Sequence, residues 1–121
     1  MRLDKSNNLY AKAHAFAIRI VRFYQWTIEK KREFVLSKQL LRCGTSIGAN
    51  VAEANGGIST QDFSSKISTA YKESLETKYW LSVMKETNLI EPKLYDSLHK
   101  DADELSKILF SILKSTRIKS R

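Results

Sequence analysis

Apolar residues return at alternating intervals of three and four along four long stretches of the chain. That is the period of one helix face and not the two-residue alternation of a strand. In the first stretch, about residues 9–29, Tyr10, Ala13, Ala17, Ile20, Val21, Tyr24 and Ile28 are expected on one face. Phe16 and Ile18 lie off that stripe and suggest a second buried side. The second stretch, about 35–55, brings Leu36, Leu40, Cys43, Ile47, Val51 and Ala54 into register. The third, about 60–87, is the most regular: Phe63, Ile67, Ala70, Ser74, Thr77, Leu81 and Met84 follow strict heptad alternation. The fourth, about 92–115, presents Leu94, Leu98, Ala102, Leu105, Leu109 and Ile112, and Thr116 to Arg121 are expected to fray as a basic tail.

The breaks between stretches are short and carry stop and start signals. Lys30, Lys31 and Arg32 interrupt the first pattern. Gly56-Gly57 ends the second, glycine being the usual residue to turn left-handed just past a helix. Ser59 and Asp62 mark the start of the third through a side-chain cap and a favourable charge at the positive helix end. Asn88 is a stop, and Pro92 restarts the chain at a position where its missing amide has no partner to lose. Four helices of roughly 20 residues, each about 30 Å long and joined by such loops, must run antiparallel to their neighbours. The expected fold is all-α: a single-domain up-down-up-down antiparallel four-helix bundle.

Composition agrees with this. Only four glycines and one proline accompany a hydrophobic fraction of 42%, too little turn material for a compact β domain. The lone cysteine, Cys43, rules out an intrachain disulfide and a cysteine-based zinc site. It lies on the apolar stripe and reads as a small buried hydrophobe. No apolar run reaches the ~18 residues of a membrane span, so no membrane partner and a cytoplasmic location are expected.

Charge changes the picture more. The formal net charge is +8, from 21 Lys and Arg against 13 Asp and Glu, and residues 1–33 hold eight basic and three acidic residues. A positive field concentrated on the first helix and the loop after it favours a polyanion partner through counterion release. Arg19, Arg22, Lys30, Lys31 and Arg32 are the candidate nucleic-acid-binding residues. Phe16, Phe23, Tyr24 and Trp26 are interleaved with them, an arrangement suited either to stacking bases or to burying the helix on two sides. Lys93, Lys100, Lys107 and Lys114 recur every seven residues on the fourth helix, but Asp96, Asp103 and Glu104 dilute their field, so they read as a solvated face.

Gly44, Ser46, Gly48, Asn50 and Glu53 form the other unusual group. Each mid-helix glycine costs about 1 kcal/mol relative to alanine, which close approach of another helix would offset. Ser46, Asn50 and Glu53 line the edge of the same face, and Glu73 and Glu76 of the third helix are candidate partners for them. His14 and His99 lack the Glu-x-x-His spacing of bundle metal sites and read as surface or core-edge residues. No catalytic residues, metal ligands or cofactors are assigned.

Leu41-Arg42, Ser46-Ile47, Asn50-Val51-Ala52-Glu53, Ser59, Asp62-Phe63, Ala70, Ser74-Leu75-Glu76-Thr77 and Leu89-Ile90 together resemble a known family. It is the four-helix-bundle family named for open reading frames in bacterial 23S ribosomal RNA intervening sequences. The family often has proline where this chain has Gly48. The resemblance implies small basic bundles without enzyme activity, in some members assembled as rings of five. An accessory protein of diversity-generating retroelements, similar in fold, binds nucleic acid and a reverse transcriptase. The expectation is a non-enzymatic homo-oligomer, a pentamer by resemblance, that binds RNA in preference to DNA. The alternative is a scaffold for a protein partner, with the charge serving solubility.

Overall fold

The computed structural model of the protein describes residues 6–120, with side chains for 8–116. Helix α1 (Ser6–Trp26) continues into a π-helical turn (Thr27–Lys31), followed by α2 (Leu36–Asn55), α3 (Thr60–Glu86) and α4 (Pro92–Ser120). These elements form an up-down-up-down antiparallel bundle. Consecutive helices pack closely, and α1 meets α4 in a looser seam that closes the ring.

All seven heptad positions expected on α3 are buried, as are Leu40, Cys43, Ile47, Val51 and Ala54 of α2 and Leu98, Ala102, Leu105 and Leu109 of α4. Ser74 and Ser106 meet inside this core at 2.7 Å. Ser74 also donates to the Tyr71 carbonyl at 2.6 Å, so Ser106 is the donor in the pair, and the contact satisfies a buried hydroxyl that would cost about 1 to 3 kcal/mol if left alone.

Helix α1 is turned relative to the expected face. Its buried stripe is Leu9, Ala13, Phe16, Ile20, Phe23 and Thr27, while Tyr10 and Val21 are exposed. Two apolar stripes one residue apart, and so about 100° apart around the helix, compete for the core. The one carrying both phenylalanines wins. Of the expected face, Ala13 and Ile20 are buried, while Ala17, Tyr24 and Ile28 are half-buried at its edge.

The helix ends show how local chemistry sets the loops. The Thr27 hydroxyl donates to the Phe23 carbonyl at 2.8 Å where α1 widens into the π turn. Arg32 then takes a left-handed backbone, φ 55°, and ends the run. Asn88 does the same at φ 62°: its amide donates to the Lys85 carbonyl and that of Leu89 to Met84, a Schellman closure of α3. Ser59 Oγ accepts from the Asp62 amide at 3.0 Å, and Pro92 opens α4, both as the pattern predicts.

Two expectations at the helix ends are corrected, and one signal is new. Gly56 ends α2 at φ −95°, and no glycine of the described residues has positive φ, so a left-handed cap is not its role. A Cβ on Gly57 would meet the Ala54 carbonyl at 3.1 Å and the Phe63 amide nitrogen at 3.3 Å, which makes this a site of close approach. Helix α4 runs on to Ser120 rather than fraying from Thr116, whose side chain is buried; Arg121 lies outside the described residues. Finally, α2 has a start signal that its pattern does not announce. The Glu33 carboxylate accepts from the amides of Val35, Leu36 and Ser37 at 2.8 to 3.0 Å, filling the donor sites a helix start leaves open.

Candidate nucleic-acid interface

The antiparallel topology brings the end of α1, the π turn, the start of α2 and the α3–α4 turn to one end of the bundle. Lys30, Lys31 and Arg32 are all exposed there. Lys30 lies 3.6 Å from Glu29, a surface pair worth little. The Lys31 ammonium sits 5.8 Å from the Trp26 ring centre, and the Arg32 guanidinium 5.7 Å from that of Phe34. Arg22, two turns back along α1, is exposed as well. Among the described residues no carboxylate lies within ion-pair distance of Arg22, Lys31 or Arg32, so their charge is available to an external anion.

Arg19 is different. Its Nη1 donates to Asp101 at 2.7 Å and its Nη2 to Ser97 at 2.9 Å. With Lys12 on Glu104 at 2.9 Å, it ties α1 to α4, and its charge is neutralised at short range. The free cationic cluster is therefore Arg22, Lys31 and Arg32, with Lys30 beside them. Phe16 and Phe23 are core residues; of the interleaved aromatics, Trp26 is 40% exposed, with the Phe23 ring stacked 6.1 Å from it, and Tyr24 is half-buried.

Beside Trp26 the α1–α4 seam opens into a cavity of about 520 Å³, walled by Arg19, Arg22, Phe23, Glu91, Leu94 and Leu98. Trp26 and Glu91 also border an adjoining hollow of about 270 Å³ that reaches Lys31 and the α3–α4 turn. Sequence reasoning missed this groove because residues from opposite ends of the chain make it; the signal available was only an unmatched tryptophan next to a basic run.

The second candidate group sorts into packing and surface. A Cβ on Gly44 would touch two Ile20 carbons at 3.0 Å, and one on Gly48 the Ala13 carbonyl oxygen at 3.3 Å. Both glycines thus permit the close approach of α1 and α2. Asn50 Nδ2 donates to the Ser46 carbonyl and the Ser46 hydroxyl to that of Arg42, so these polar groups are satisfied within α2. Glu53 pairs with Lys66 at 2.7 Å. Glu73 and Glu76 do not serve this face; both bind Arg42, and Glu76 also accepts from Trp80 Nε1 at 3.0 Å. Cys43 is fully buried, and burial pushes its thiol up to about 11. Among the described residues no group of three or more His, Cys, Asp and Glu could hold a metal ion, and no helix is long and apolar enough to cross a membrane.

The family model described as 23S rRNA-intervening sequence protein matches residues 5–111. The chain belongs to this family. It is also similar to a protein of unknown function from the S23 ribosomal protein family of Bacteroides thetaiotaomicron VPI-5482, known from a crystal structure. That likeness has 44% identity and a TM-score of 0.89, covering 91% of this chain and 98% of the other. No curated protein matches the chain. As a 23S rRNA-intervening sequence protein, the chain carries the whole basic turn, the α1–α4 groove and the Arg42–Glu73–Glu76 cluster inside the matched span.

Proposed function

We propose that this protein is a non-enzymatic, cytoplasmic, homo-oligomeric nucleic-acid-binding bundle, with RNA preferred over DNA. The observation that carries the reading is the group Arg22, Lys31 and Arg32, without ion-pair partners among the described residues, toward one end of a chain of net charge +8. The family's description, which records an intervening sequence of 23S ribosomal RNA, makes RNA the first nucleic acid to test. Repetition of a modest patch in several copies raises affinity through avidity, and a pentamer is the assembly that the family resemblance implies.

The test is charge reversal at Arg22, Lys31 and Arg32 together, with binding to structured RNA and to duplex DNA of equal length measured from low to physiological salt. The triple variant keeps its helical circular dichroism, loses most of its affinity at physiological salt and shows a shallower salt dependence, each lost phosphate contact removing about 0.9 from the slope. Unchanged affinity overturns the site. Arg19→Glu serves as a contrast, because its main effect is on the seam to α4.

A second reading has one observation behind it. Tyr79, 60% exposed, and Leu75 and Phe110 leave apolar surface on α3 and α4, suited to a protein partner. Complex formation insensitive to salt and lost on Tyr79→Lys would favour a scaffold.

A further inference from the structure

The groove at the loose α1–α4 seam combines features that bundle packing leaves unused. Its lining is largely apolar, from Phe23, Leu94 and Leu98, and the Trp26 indole lines both it and the adjoining hollow. The two spaces share Trp26 and Glu91, so the 40% exposed indole borders both, with the Phe23 ring stacked 6.1 Å from it as an aromatic backing. A cation borders each space, Arg22 the cavity and Lys31 the hollow. One carboxylate, Glu91, borders both.

We propose that this groove receives an unpaired base of a single-stranded segment of the bound nucleic acid. Trp26 is the stacking platform, and Arg22 and Lys31 hold the flanking phosphates. The inference rests on the nucleic-acid reading above and narrows it to unpaired elements such as loops, bulges and ends. Every base has an aromatic face suited to an indole, and the amino groups on base edges suit a carboxylate acceptor such as Glu91. An acidic peptide would satisfy the two cations but bring its carboxylates against Glu91.

The chain has two tryptophans, so Trp80→Phe leaves Trp26 as the only indole reporter. Titration with a short oligoadenylate quenches its fluorescence, whereas a blunt RNA duplex of equal phosphate number does not. Trp26→Ala weakens oligoadenylate binding about 5- to 100-fold, the range of one lost base stack, while duplex affinity and circular dichroism stay as they were. Trp26→Phe recovers most of the loss. The inference is overturned if Trp26→Ala leaves oligoadenylate binding unchanged. It is equally overturned if that variant changes the assembly state, which gives the groove to a second copy, or abolishes binding of an oligoglutamate peptide, which gives it to an acidic protein segment. If duplex binding survives in those cases, the broader reading stands; if neither nucleic acid binds the unaltered protein, both fall.

Discussion

At the scale of single residues, the α1–α2 contact is set by what Gly44 lacks. Replacing a mid-helix glycine by alanine ordinarily gains about 1 kcal/mol in helix propensity. Here the new Cβ would lie 3.0 Å from both Ile20 γ-carbons, and Ile20 is fully buried, so it has nowhere to go. Overpacking of this kind costs about 1 to 3 kcal/mol, enough to reverse the sign. Gly44→Ala is expected to lower stability to urea by up to about 2 kcal/mol. In an Ile20→Ala background, where both γ-carbons are gone, the same change should stabilise by roughly the propensity difference. A double-mutant cycle without that reversal would show that the contact is slack. The glycines stood out in the sequence as an unexplained cost, and close approach of a helix followed from that; which residue approaches did not, because Ile20 and Gly44 are joined only by the fold.

At the scale of the helices, α2 depends on Glu33. Partial burial raises its carboxyl, but the amides of Leu36, Ser37 and Val35 outweigh burial and hold it below the usual glutamate range. A folded-state value below the unfolded one means that the stabilisation is complete above the unfolded value, roughly pH 4. It is lost as pH falls through the lowered folded value. Glu33→Gln is therefore expected to cost about 1 kcal/mol at neutral pH, the usual worth of a helix cap, and almost nothing well below that range. Urea unfolding of the two proteins at neutral and strongly acid pH measures the difference; an equal gap at both would remove the charge from the explanation. This cap was hidden in the sequence because glutamate is not among the usual N-cap residues, and it reaches three amides from outside the helix. The contrast with α3 is instructive. Its single apolar stripe and Ser59 cap left one solution, whereas α1 offered two neighbouring stripes, and only the positions of α2 and α4 decide between them. The pairing of Arg19 with Asp101 was out of reach for the same reason: nothing local joins residues 82 positions apart.

At the scale of the whole molecule, the partly covered stripe of α1 is the face on which the proposed assembly can be tested. Tyr10, Ala17, Val21, Tyr24 and Ile28 keep heptad-like spacing, yet only part of their surface is covered within one chain. A second copy seated there would complete the burial and leave the cationic end of each bundle free, since Lys31 and Arg32 lie beyond the stripe. Avidity and assembly then become one property. The variant Val21→Glu with Tyr24→Glu places charge on this face without entering the core, so circular dichroism should be unchanged while light scattering falls to the mass of one chain, 13.9 kDa. RNA binding by that monomer should weaken, and its salt dependence should flatten, because fewer phosphates are contacted per complex. Alkylation of Cys43 gives the control: its buried thiol, held near 11, stays unreactive at neutral pH as long as the bundle is closed. A double variant that is monomeric, resistant to thiol reagents and weak in RNA binding separates assembly from folding. One that keeps the assembled mass places the interface elsewhere on the bundle, and the apolar surface of Tyr79 and Phe110 becomes the face to alter next.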